Sequence, residues 1–136
     1  MLKVHEVFGF TIVGVFAIGW LWPLGAWIVR RNPGEWYWRW VTLEQVLIGV
    51  QALIGIWLFA IDGLRASTLL HYAYGLFPIL LLLAAHWVAR QMVQPPKPEG
   101  QSELPVRVRP WVPFGWVAFF CFGLTLRAVM TGLGIG

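Results

Sequence analysis

Charge is scarce in this sequence. Only 12% of its 136 residues are Asp, Glu, Lys or Arg, where a soluble domain carries roughly 25%. So few charges cannot cover a water-soluble domain of this size, and that class is excluded. Cysteine is nearly absent too. Cys121 stands alone, which rules out an intrachain disulfide and a cysteine-based metal site. No Cys-x-x-Cys-His run occurs, so a covalently attached c-type haem is excluded as well. The net charge of +4 sits mostly between apolar runs, where it describes membrane topology. No nucleic-acid partner is expected.

What the chain does have is apolar surface: 59% of its residues are hydrophobic and ten are tryptophan. These residues fall in four runs, each longer than the roughly 20 residues that cross a bilayer. The runs cover about 4–30, 41–61, 68–93 and 111–133. The expectation is an all-α polytopic membrane protein, an up-down bundle of four transmembrane helices forming one domain over 1–136. Its polar loop would be 94–110, and the lipid bilayer is its first partner. A cleaved signal peptide is the competing reading of the first run. That run is too long for one, lacks a small-x-small cleavage site, and carries His5 and Glu6 at its start.

Within the first run, Gly9, Gly14 and Gly19 recur every five residues and leave room for close helix contacts. Pro23 is expected to bend its last third, and Arg30-Arg31-Asn32-Pro33-Gly34 ends it in a tight turn. Trp36-Tyr37-Trp38-Arg39-Trp40 then reads as an anchor at the membrane–water interface. Glu44 and Gln45 fall close to that anchor, at a hydrated depth. Gln51 lies deeper and needs a partner on a neighbouring helix; a quinone or proton-relay role is the alternative. The segment 62–67 is a short turn, and Pro78 interrupts the third run near its middle. Pro110 stands just before the last run, a favourable place at a helix start.

Orientation follows from the basic residues. Arg30, Arg31, Arg39, Arg90, Lys97, Arg107 and Arg109 share one side, while Lys3 and Arg65 lie on the other, with Arg127 embedded above it. By the positive-inside rule the loops 30–40 and 90–110 face the cytoplasm and both termini face outward. The setting is a bacterial inner or plasma membrane. Trp27, Trp36, Trp38, Trp40, Trp87 and Trp111 form a belt at the cytoplasmic interface.

Ionisable side chains inside membrane spans are costly and mark functional sites. His5 opens the first run and His71 the third, and each is followed by glycine at i+4, Gly9 and Gly75. Both helices run in the same direction, so the two imidazoles reach similar depth near the outer surface. Non-adjacent helices of a bundle face each other across its core, where cofactor ligands are placed. Two imidazoles on opposite faces of an iron give the b-type, six-coordinate arrangement suited to electron transfer. The glycines add a steric reason, because a flat macrocycle presses on the helix about a turn from its ligand. The reading is one haem b, its iron held by His5 and His71.

Arg127 lies roughly 13 Å of helical rise from the end of the sequence, near the histidine level. Haem propionates would pair with it, and Arg65 is a second candidate. Equally, Arg127 snorkels to the interface or pairs with Asp62 or Glu6. His86 is roughly 22 Å beyond His71 on the same helix. A second haem there needs another histidine, and the chain has none. His86 beside Trp87 therefore reads as interfacial.

The order of these features resembles one four-helix half of the haem A synthase family. Val4-His5-Glu6-Val7-Phe8-Gly9 resembles that family's first histidine element. Val50-Gln51-Ala52-Leu53-Ile54-Gly55 is similar to its second-helix pattern, and Leu70-His71-Tyr72-Ala73 to its second histidine element. The resemblance implies a haem-binding scaffold. It departs where the family's catalysis resides: Leu2 stands at the position of a glutamate, Glu6 at that of an arginine, and the outer-loop cysteine pair is missing. Only one half is present, which a homodimer would complete.

Three functions are thus open: a b-type electron carrier, a haem-modifying enzyme of haem A synthase type, and a structural subunit. The third would sit in a larger respiratory or photosynthetic complex, without a cofactor or holding bacteriochlorophyll or carotenoid. The electron carrier is favoured, so an accessory or redox role is expected ahead of catalysis. Partners would be other membrane subunits or a second copy.

Overall fold

In a bilayer every backbone polar group must be satisfied within the protein, which leaves helices as the economical solution for apolar runs. A computed structural model describes residues 1–66, 68–92 and 109–135, and it is all-helical there. Four helices follow in order: α1 (Leu2–Ile28), α2 (Glu35–Ala60), α3 (Leu69–Met92) and α4 (Trp111–Gly132). Each is long and apolar enough to span a membrane. The chain is an integral membrane protein built as a four-helix bundle. Residues 94–108 of the expected polar loop lie outside the described residues.

Local chemistry sets the ends. After α1, Arg31 N–H donates to the Ala26 carbonyl (2.8 Å) and Arg30 N–H to the Trp27 carbonyl (3.1 Å). This paired closure is a Schellman motif. It holds Arg30 at φ 54°, in a left-handed conformation usually given to glycine. Asn32 Oδ1 accepts from Gly34 N–H at 3.2 Å, and Gly34, at φ 81°, is the N-cap of α2. That turn brings α2 in at Glu35, earlier than the 41 expected from hydropathy. Trp36–Trp40 are already helical, with Glu35 favourably placed at the positive helix end. Between α2 and α3, the Ala66 N–H donates to the Tyr72 hydroxyl at 3.0 Å.

The helices go round the bundle in chain order, so α1 faces α3 across the middle. α4 packs most extensively, against both α1 and α3; α1 against α2 is next, and the α2–α3 seam is thin. Small residues make the tight contacts, as expected where apolar burial alone gives no drive between helices. A Cβ on Gly115 would stand 2.9 Å from Pro23 Cγ, so the proline ring of α1 packs directly onto the α4 backbone. Pro23 and Pro78 both lie buried inside continuous helices.

One core cluster joins Ile12, Phe16, Ile48, Leu82, Ala118 and Cys121; a second joins Tyr37, Val41, Ala85, Trp111 and Phe114. The second cluster corrects the aromatic belt. Trp27, Trp36 and Trp87 are well exposed, but Tyr37 and Trp111 are buried in the bundle. Trp40 turns inward, its indole N–H donating to the Val15 carbonyl of α1 at 3.0 Å.

Candidate functional site

His5 sits in the first turn of α1 and His71 in the first turn of α3. Because these helices are diagonal partners, their side chains meet inside the bundle, with ring centroids 6.0 Å apart and planes inclined by 58°. Beside them opens a cavity of about 780 Å³, walled by all four helices at this end of the bundle. The thin α2–α3 seam leaves it that space. Gly9, Gly75 and Arg65 line the same cavity, together with Glu6. Arg127 does not; it is half-buried on α4, away from the cavity wall.

The two imidazoles are held differently. His71 Nδ1 lies 2.9 Å from the Ala128 carbonyl of α4. A carbonyl only accepts, so Nδ1 carries the proton and Nε2 keeps its lone pair. This is how metal-binding histidines are generally oriented, by a hydrogen bond from the other nitrogen. His5 Nδ1 is buried and has no hydrogen-bond partner among the described residues. The position of His5 is fixed through its backbone instead: Gln51 of α2 donates its amide N–H to the His5 carbonyl at 2.9 Å. Gln51 thereby finds the interhelical partner its depth demands.

Glycine matters here, but in a different place from the i+4 positions. A Cβ on Gly55 would lie 3.3 Å from His5 Cε1, and one on Gly132 3.3 Å from His71 Cε1. Each ring is therefore backed by a glycine of the adjacent helix, α2 for His5 and α4 for His71. Gly75 faces open space within the cavity, whereas a Cβ on Gly9 would meet Val129 Cγ2 at 3.2 Å. Gly132 carries no sequence signal on its own. Only its shared depth with His71, near the end of α4, points to it.

Further along α2, Glu44 corrects a second expectation. It is 1% exposed rather than hydrated, and its Oε1 has no hydrogen-bond partner among the described residues. Gly19 of α1 lies directly beneath the carboxyl group, which occupies the place of the missing side chain. Tyr37, Glu44 and Gln51 are spaced by seven residues, roughly 10 Å per step along one face of α2. Each carries a buried oxygen without a partner among the described residues, the kind of group that ordered water satisfies in protein interiors.

His86 is exposed, as an interfacial residue would be, and it also contacts two neighbouring helices. Its Nε2 lies 2.7 Å from Gln45 Nε2, and its ring packs edge-on against Phe114 at 4.9 Å. It ties α3 to α2 on the side away from the histidine cavity. Among the described residues no three of His, Cys, Asp and Glu converge as a cage for a bare metal ion. No family profile, curated protein or solved structure matches the chain.

Proposed function

We propose that this chain is a membrane-embedded b-type haem protein that passes electrons, in which His5 and His71 would hold the one iron. The observation that carries this reading is the approach of the two imidazoles across the bundle. The ring centroids stand 6.0 Å apart. Two imidazoles are too few for a bare ion, but a macrocycle brings its own four equatorial donors. The adjoining cavity of about 780 Å³ falls within the about 300–1,000 Å³ typical of ligand pockets.

Bound there, a bis-histidine haem supplies reversible one-electron transfer. The chain's part is to hold and insulate it. Ala128 fixes the tautomer and direction of His71, Gln51 holds the His5 backbone, and Gly55 and Gly132 let both rings stand against their neighbouring helices. Arg65, in the α2–α3 turn on the cavity wall, is placed to meet the anionic edge of the macrocycle; Arg127 is not. By its basic connections the bundle lies with both termini outside and the 30–40 connection in the cytoplasm, which puts the cavity near the outer surface. The motif similarity to haem A synthase supports a common haem scaffold. It gives less support to that family's chemistry, since Leu2 and Glu6 replace the residues expected for it.

The test is titration of the detergent-purified protein with haemin. Saturation at one haem per chain in the wild type, and its loss in His5→Ala and His71→Ala, is the expected result. Uptake unaffected by either substitution would refute the ligand assignment.

A further inference from the structure

At the opposite end of the bundle a second concavity, of about 160 Å³, is lined by Arg30, Arg31, Asn32, Trp38, Arg109 and Trp111, with Pro110 at its edge. Three arginines from two separate stretches of chain line it, and among the described residues no carboxylate does. Like charges repel, so an anion that joins them in one hollow is favoured. Guanidinium groups are suited to phosphate because their planar fork of donors matches its oxygens.

The backbone gives independent support. Arg30 occupies the left-handed position of the Schellman closure, which ordinarily selects glycine. A long cationic side chain there works against the local preference, and Arg30 is among the residues that line the hollow. Arg109 enters from the other side, immediately before α4, and is half-buried. Trp38 lines the hollow on its more exposed side, and tryptophan collects at the depth of lipid headgroups. Topology alone would explain basic residues scattered in the connections. It does not explain their convergence on one pocket between helices, which is the pattern that captures anionic headgroups on the cytoplasmic side.

We propose that Arg30, Arg31 and Arg109 form a phosphate-binding pocket that takes the headgroup of an anionic membrane lipid. It is separate from the histidine cavity, and nothing in it depends on haem.

Native mass spectrometry of the full chain in detergent tests this with three probes: phosphatidylglycerol, phosphatidylcholine and inorganic phosphate. The wild type is expected to retain one phosphatidylglycerol per chain and to discriminate against phosphatidylcholine, whose choline cancels the phosphate charge. Arg31→Gln with Arg109→Gln should weaken retention by about five- to tenfold per arginine. Arg30→Gly keeps a backbone that glycine prefers, so it remains folded and should also lose affinity. Release of the lipid by added phosphate supports a shared phosphate site. Phosphate binding with no retention of phosphatidylglycerol would overturn the lipid assignment. Equal retention by the wild type and every variant would overturn the site itself.

Discussion

At the residue scale, the cost of a polar group inside a bundle decides what each side chain is doing. Glu44 is enclosed with an unpartnered oxygen, and Gly19 is the residue that makes room for it. Gly19→Ala places a methyl group where the carboxyl group lies. The expected result is a loss of about 1–3 kcal/mol, the range for overpacking a filled core, measured as reduced thermal or denaturant stability in detergent. Gly19→Ala combined with Glu44→Ala should recover part of that loss, because the clash is then removed. The histidine pair was visible from sequence because His5 and His71 are rare residue types in matching positions. Their backing glycines were not. Gly55 and Gly132 stand among fifteen glycines, and only the packing of α2 and α4 distinguishes them from Gly14 or Gly49, which face open space.

At the element scale, the helices were legible and their rotations were not. In a soluble bundle the apolar stripe tells which face turns inward. Here lipid and core are both apolar, so Leu53 and Leu69, strongly exposed, look like Ile48 and Leu82, buried. Polar residues carry the remaining signal, and they are ambiguous: Glu44 beside an aromatic cluster reads equally as hydrated or enclosed. The start of α2 was missed for a related reason. Hydropathy sees polar Glu35 and Arg39, while the helix is set by the turn at Gly34. The α2–α3 seam is held on the tryptophan side by Gln45 and His86. Gln45→Ala or His86→Ala should each cost about 0.6 kcal/mol, the usual worth of an interhelical hydrogen bond in a membrane. Haem content should stay at one per chain in both. Two haems per chain in the wild type, falling to one in His86→Ala, would instead indicate a second haem at that level.

For the molecule as a whole, the two ends of the bundle have different chemistry. One end gathers two histidines around a cavity; the other gathers arginines and tryptophans. The proposed orientation relative to the membrane rests on that asymmetry, and cysteine labelling can read it directly. Cys121 is buried, its thiol directed at the Pro78 carbonyl, so it should give little background. Asp62→Cys should react with an impermeant thiol reagent applied outside intact cells, whereas Asn32→Cys should react only after the membrane is opened. The reverse pattern would invert the topology and move the histidine cavity to the cytoplasmic face.

The central claim is that His5 and His71 share one iron, and its most direct measurement is a dithionite-reduced minus oxidised absorption spectrum. It should be taken on the purified protein and on His5→Ala and His71→Ala. A b-type α band in the wild type that is lost in both variants, with both still helical by circular dichroism, is the predicted result. A wild-type protein that is folded but shows no haem band, or a band that survives in both variants, would contradict it.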